Sequence, residues 1–408
     1  MNWHIITGEY PPKPGGVSDY TEIVTTAMAK AGLAPRVWTS IDATRANDAD
    51  FEAGVIEDFG VIVHRLVGRW SPSDLDRMEA AIERTPAPRR FLIQYTPNSW
   101  GYKGMNLGFC RFIARRSARG DEIWTVIHEP YYFFKLWDKP ARWLIAAANR
   151  LMLRTLLGAS TRIYITIPYW DSRIRPWAPR GVPIECLPIV SNIPVVNDPV
   201  AVEAVRARYA GDGRAIIGCF STFGDNVERI QAAVLRALAV DRSDRIFLLI
   251  GRGSKEFADR LISDKSSLAA KIIATGGLTR NELSIHIQAC DVLAQAFPYG
   301  ISGRNSTIVS ALAHGAAITA NSGPISEPFW SETDAALIVP GNDIERFAAA
   351  VDAILADPAR LLAMRTAARR LYDERFSVDR IVDRLMIDGI EFMIGKQFAM
   401  KSHELREQ

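Results

Sequence analysis

Trp3-His-Ile-Ile-Thr-Gly-Glu-Tyr-Pro-Pro-Lys-Pro-Gly-Gly-Val17 opens the chain as an apolar strand, a Pro/Gly loop and the start of a helix. Helical spacing of apolar residues over 17–31 stops at Gly32, a C-capping glycine. A second strand reads at 34–39. Further strands read at 61–64, 91–95, 123–127 and 162–166, with helical stretches at 73–84, 106–119 and 140–157. Strand-then-helix repetition predicts a parallel, doubly wound sheet.

The pattern breaks at Pro188-Ile-Val-Ser-Asn-Ile-Pro-Val-Val-Asn-Asp-Pro199, which is turn-rich and aperiodic and reads as an interdomain linker. It then restarts, with strands at 215–220, 245–250, 271–274, 292–296 and 316–319 and a helix at 227–239. Helices at 343–356, 358–374 and 377–395 close the chain. The expected organisation is α/β, with two Rossmann-like domains over residues 1–190 and 198–376. The two halves are expected to face across a cleft, with ligands at the carboxyl ends of the strands.

At 408 residues, two domains are the natural division. A formal net charge of +3 is too small to argue for nucleic acid. Cys110, Cys186, Cys219 and Cys290 have neither CxxC nor metal spacing and read as buried thiols of a reducing cytoplasm. Residues 1–7 run into a strand without a basic leader, so no secretory signal is expected. No apolar run reaches the roughly 20 residues of a membrane span.

Four loops could carry chemistry. In the first, Gly15 and Gly16 permit close backbone approach, and the helix behind them offers free N–H groups to a phosphate. The spacing is neither Walker A nor GxGxxG, and such loops also occur without phosphate. The second is His128-Glu-Pro130 at the end of the strand 123–127, where histidine serves as an acid/base or hydroxyl-binding group or as a structural hydrogen-bond partner. The third, Phe297-Pro-Tyr-Gly-Ile-Ser-Gly-Arg-Asn-Ser-Thr307, enters a helix over 307–314. There Gly303, Asn305, Ser306 and Thr307 supply donors and Arg304 a positive charge, the best diphosphate site in the chain. Simple N-capping by Ser306 or Thr307 is compatible with it. The fourth is Gly251-Arg-Gly-Ser254, where Arg252 stands at a strand end as either a site cation or a surface arginine.

HExxH, Walker A and GxSxG are absent from the sequence. The triplets Asp48-Ala-Asp50 and Asp74-Leu-Asp76 read as solvated faces. Residues 100–154 carry ten Lys/Arg against four Asp/Glu, interleaved with Trp100, Tyr102, Phe109, Phe112, Trp124, Tyr131, Tyr132, Phe133, Phe134, Trp137 and Trp143. Such a mixture suits peripheral contact with a membrane or an anionic, sugar-bearing acceptor. The alternative is core aromatics beneath a solvated basic face.

In their order along the chain, these segments resemble the GT-B-fold retaining glycosyltransferases of the family 4 type. The glycine loop at 7–20, His128 after a strand and the hinge Pro188-Ile-Val-Ser-Asn-Ile-Pro194 all carry the likeness. So do Gly276-Gly-Leu-Thr279, Ser310-Ala-Leu-Ala-His-Gly315 and Phe376-Ser-Val-Asp-Arg380. The resemblance implies a nucleotide-sugar donor (UDP-, GDP- or dTDP-linked) on the C-terminal domain and no further cofactor or metal. The acceptor, a saccharide, a lipid-linked sugar or a small molecule, would sit on the N-terminal domain. The closing helix, 377–396, would cross back to that domain. Leu278 and Thr279 would frame the base, Ser310 the ribose, and Ser302 and His128 the donor sugar, with Arg252 adding charge. A cytoplasmic, membrane-associated location fits the pattern.

The chain departs from its relatives where they carry Glu-x7-Glu: here the two positions are Ser302 and Ser310. Their Arg/Lys pair is missing too, since Phe220-Ser-Thr-Phe-Gly-Asp-Asn226 offers no cation. A GT-B-like binding or scaffold protein without activity is therefore the alternative. A nicotinamide dehydrogenase is disfavoured by the lack of GxGxxG.

Overall fold

The computed structural model describes residues 1–40, 55–57, 60–133, 138–240 and 242–407. Two compact units result: Met1–Pro188 together with Val378–Gln408, and Ile189–Ser377. The boundary falls at the start of the turn-rich linker, so residues 189–199 pack with the second unit.

The first unit is built on β1 (Asn2–Thr7), β2 (Arg36–Ser40), β3 (Val55–Glu57), β4 (Val61–Val67), β5 (Arg89–Tyr95), β6 (Glu122–Ile127), β7 (Arg162–Ile165) and β8 (Ile184–Cys186). They form one sheet in the order β3-β4-β2-β1-β5-β6-β7-β8. Neighbours run parallel except β3 against β4. Between the strands lie α1 (Gly16–Lys30), α2 (Pro72–Glu83), α3 (Leu107–Ala118), α4 (Pro140–Ala159) and the short α5 (Asp171–Ile174). Helix α1 ends as its sequence requires: Gly32 takes φ +81°, the left-handed conformation that releases the chain. Helix α2 starts with a capping box, in which Asp74 accepts from Ser71 N at 2.9 Å. Asp74 is therefore a buried cap rather than a solvated acid. Asp48 and Asp50 lie outside the described residues. Cys186 is exposed, unlike the other three cysteines.

The second unit comprises α6 (Pro199–Ala210), β9 (Ala215–Phe220), α7 (Asp225–Leu238), β10 (Arg245–Ile250), α8 (Ser254–Asp264), β11 (Ile272–Ala274), α9 (Arg280–Ala289), β12 (Val292–Gln295), α10 (Ser306–Ala313), β13 (Ile318–Asn321), β14 (Ala336–Val339), α11 (Ile344–Leu355) and α12 (Pro358–Arg375). Its all-parallel sheet has the order β11-β10-β9-β12-β13-β14. Both faces are covered, which is why these strands are apolar throughout. The two-residue period sends Ile216, Phe220, Ile246, Leu248 and Ile250 into one core and Ile217, Cys219, Phe247 and Leu249 into the other.

The last helix, α13 (Val378–Glu407), belongs to the first unit. Tyr164 Oη donates to Asp388 Oδ2 at 2.6 Å, and Arg162 and Arg384 pair with the same carboxylate at 3.3 and 3.0 Å.

The core of the first unit holds an acid-sensitive stack. His4 of β1 is fully buried between the rings of Trp38 and Phe91, and its Nδ1 accepts from Trp38 Nε1 at 3.0 Å. Burial, helped by nearby Arg36, pushes the His4 pKa down to about 3. Burial also lowers half-buried His64, stacked on Trp38, to about 4. A depressed folded pKa means stability that is whole above the unfolded value, near 6.5, and is lost as pH falls toward the folded one. His4 alone is expected to cost about 2 kcal/mol on going from pH 7 to pH 5. Thermal unfolding at the two pH values checks this: His4→Gln, which keeps an acceptor without the titration, should shrink the difference by about 2 kcal/mol and leave the share of His64. An unchanged difference would refute the assignment.

Candidate functional site

Each sheet reverses its strand order once, and the loops at that switch point form the natural ligand site of such folds. In the second unit the reversal is at β9, which pairs with both β10 and β12. The loops after these strands interlock through glycines. A methyl group at Gly253 (φ +78°) would meet Thr222 O at 2.7 Å, and Gly251 bridges Gly276 across neighbouring loops. Gly300 and Gly323 approach too closely for any side chain on Gly300. Asn321 fastens the loop further, accepting from Phe297 N at 2.7 Å and donating to Phe297 O at 2.8 Å. Buried Phe223 has φ +51° in the loop after β9, a strained conformation for a bulky residue and typical of ligand-binding loops.

Within this cluster, residues 302 and 303 are buried and 304–307 are half-buried. Asn305 is the N-cap residue of α10, yet its side chain makes no capping bond. Its Oδ1 instead accepts from Ser302 N at 2.8 Å and Ser302 Oγ at 3.1 Å, tightening the turn. Ser306 and Thr307, the first two residues of α10, have N–H groups for which a helix offers no internal acceptor. The helix thus begins with open donors and a positive dipole end, two residues after the half-buried Arg304. The capping expected from Ser306 or Thr307 is not what organises this end.

Glu327 has a part that sequence reading missed. Its carboxylate, 7% exposed, accepts from Gly303 N at 2.9 Å and from Trp330 Nε1 at 2.8 Å. Burial raises its pKa, against these two donors and the charge of Arg375. Gly303 therefore spends its N–H inside the protein. A methyl group there would meet Glu327 Oε1 at 2.9 Å and Phe376 at 3.1 Å. Ser310 is also fully buried, its Oγ 3.1 Å from Ser191 Oγ and 3.4 Å from Asn192 Oδ1. Ser302 and Ser310 thus both bond within the unit.

The remaining residues of this unit lie on adjacent loops. Arg252 is exposed beside the loop 276–279, since a methyl group at Gly277 would meet its Cγ at 3.4 Å. Leu278 is half-buried against the core. Thr279 caps α9 in a capping box with Glu282, its N donating to Glu282 Oε2 at 2.8 Å.

In the first unit the switch point is at β1, between β2 and β5. Gly8 lies against Ser99 of the loop after β5 too closely for a side chain. Gly15 precedes α1, and Gly16 is its first residue, with open space where a side chain would be. The N–H groups of Val17 and Ser18, expected to face a phosphate, are met by the carboxylate of Glu9 from the same loop. Burial raises the pKa of Glu9. His128 follows β6, is 8% exposed, and places Nε2 2.8 Å from Gln94 Oε1. The ring of Tyr20, in α1, meets it edge-on at 5.0 Å. The structure thus brings His128 beside α1 and Arg252 beside the loop bearing Leu278, and that pair of loops and residues 302–307 follow strands of one parallel sheet.

Residues 226–371 match the model of the family described as Glycosyl transferases group 1. The chain is 25% identical over 381 residues to the GDP-mannose-dependent alpha-(1-6)-phosphatidylinositol monomannoside mannosyltransferase of Mycolicibacterium smegmatis, covering 90% of this chain and 92% of that protein. Among solved structures, sucrose-phosphate synthase from Thermosynechococcus elongatus superposes with a TM-score of 0.72 at 16% identity, over 97% of this chain and 100% of that one. Anabaena HepE, in complex with UDP, gives 0.69 at 13% identity over 96% and 100%. With two Rossmann-like units and a matched segment that contains the 302–307 turn, the chain has the GT-B fold, and the comparisons support a glycosyltransferase.

Proposed function

We propose that this protein transfers a sugar from a nucleoside-diphosphate donor to a saccharide or lipid-linked acceptor, with retention at the anomeric carbon and without a required metal. The observation that carries the reading is the uncapped start of α10, where Ser306 and Thr307 present N–H groups next to Arg304 at the switch point of the second unit. As the anomeric carbon–oxygen bond breaks, negative charge develops on the departing diphosphate. Fixed donors and a cation stabilise that charge without reorganising. Arg252 adds charge from the loop after β10, and Leu278 and Thr279 border the base. His128 serves the sugar in the first unit. Ser302 holds the turn from inside, and Ser310 bonds to Ser191 and Asn192. GDP-mannose is the first donor to test, because the Mycolicibacterium relative is GDP-mannose-dependent. UDP-glucose is the second, because solved relatives hold UDP and UDP-glucose.

A thermal-shift screen of GDP, UDP, ADP and dTDP with their sugars tests this, with and without a chelator. A ligand at 100 times its dissociation constant adds about 2.7 kcal/mol of stability. One nucleotide is expected to stabilise the wild type and to do so far less with Arg304→Ala, whose loss of a charged hydrogen bond should weaken binding about tenfold or more. Equal shifts in both proteins would refute the site. No shift from any nucleotide would refute the transferase reading, and loss of the shift on chelation would refute metal independence.

A further inference from the structure

The basic and aromatic segment 100–154 divides into two sets in three dimensions. Trp100, Phe109, Phe112 and Trp124 are fully buried, with Trp100 stacked on Phe109 at 4.0 Å, so they are core. Phe134 and Trp137 lie outside the described residues. The surface part is chiefly α4, whose inner side buries Ala146, Asn149, Met152, Leu153, Leu156 and Leu157.

The outer side of α4 is unusual for a helix facing water. Trp143 is 45%, Leu144 71% and Leu151 51% exposed. With Ala147 they fall within about 100° of one another around the helix, given about 3.6 residues per turn. Every charged side chain of α4 is an arginine: Arg142, Arg150 and Arg154. Arg154 continues the apolar line, Arg150 borders it and Lys139 precedes it. At the start of the helix, Lys103 and Arg142 line a cavity of about 280 Å³ with Asn98, Gly104, Tyr132 and Ile145, away from the apolar line, since Arg142 falls about 180° around the helix from Leu151. Arg142 also pairs with Asp138 at 2.9 Å.

We propose that the outer face of α4 docks on an anionic lipid bilayer. Trp143, Leu144 and Leu151 enter the headgroup layer, and the exposed Lys139 and Arg154 meet lipid phosphates. The charges select this occupant: an all-cationic helix with an apolar stripe and a tryptophan complements an anionic interface. Two copies of this face would instead set arginine against arginine. Among the described residues no helix is long and apolar enough to cross a membrane, so the contact is superficial. The inference is independent of the transferase reading, because binding is measured without turnover.

The test is sedimentation of the full chain with vesicles of phosphatidylcholine alone or mixed with phosphatidylglycerol. Binding is expected to the mixed vesicles and to weaken with salt. Leu144→Glu with Leu151→Glu should reduce it at least about tenfold, and so should Lys139→Ala with Arg154→Ala, since each cation near a charged surface contributes about 1 kcal/mol. Leu362→Glu, at a 67% exposed position on α12, should leave binding unchanged and controls for a general effect of added charge. Circular dichroism confirms that each variant is folded. Absence of binding to the mixed vesicles overturns the proposal, as does binding that the α4 variants do not alter. A lipid-free dimer abolished by the two glutamates would assign the face to a second copy and overturn it equally.

Discussion

Gly389→Val is expected to lower the melting temperature of the first unit by about 10 °C, the consequence of losing about 3 to 5 kcal/mol in a unit of this size. Gly389 lies in α13, where a glycine ordinarily weakens a helix and a larger residue would help. Here a side chain would collide with Arg90. Arg90 cannot easily withdraw. It is 3% exposed, its guanidinium carbon lies 4.1 Å from the Trp124 ring and 4.8 Å from the Trp3 ring, and it pairs with buried Glu122 at 3.0 Å. Displacing it breaks a buried ion pair and its stacking on two indole rings, which costs far more than helix propensity returns. In a chain already carrying Arg90→Ala, the valine should cost much less, because the two changes remove one contact. Equal costs in both backgrounds, measured by thermal or denaturant unfolding, would refute the mechanism.

Glu327→Ala is expected to destabilise the second unit by about 3 to 5 kcal/mol. It strands the Gly303 N–H and the Trp330 indole N–H in a buried site, at about 1 to 3 kcal/mol each. Glu327→Gln keeps an acceptor oxygen and is expected to cost about 1 kcal/mol. The two variants separate shape from charge. If the carboxylate only holds the turn 302–305 in place, Glu327→Gln keeps nucleotide binding while Glu327→Ala loses it along with the turn. Thermal shifts with and without the stabilising nucleotide measure both. An alanine variant as stable as the wild type would show that Gly303 finds another acceptor, and would overturn the role given to Glu327.

The expectations for Gly15 and Gly303 show how far a loop can be read locally. Glycine loops entering helices at 15–17 and 303–307 were legible as anion sites from backbone permissiveness and helix dipoles. The structure places protein carboxylates on part of each: Glu9 on Val17 and Ser18, Glu327 on Gly303. Glu9 is close enough in sequence to have been a candidate, being an acid a few residues ahead of the helix it serves. Glu327 had no such signal. It sits 24 residues from Gly303, beyond an intervening helix and strand.

The order of residues along the chain was enough for the fold class, through the alternation of short apolar strands with amphipathic helices and the restart of that pattern after residue 199. It also determined helix ends such as Gly32, because periodicity, capping and left-handed glycines depend on residues within one or two turns of each other. It did not disclose the short edge strands β8 and β14, whose few residues carry too little period to register. It took the folded molecule to show that Ser302 and Ser310 are buried, that Trp100 and Trp124 are core while Trp143 faces out, and that Arg90 fills the space beside Gly389. Arg90 Nη2 donates to Gly389 O across 299 residues of chain. Such pairings depend on which surfaces the folded sheet and helices bring together, and burial and hydrogen-bond partners are properties of that meeting rather than of any local pattern.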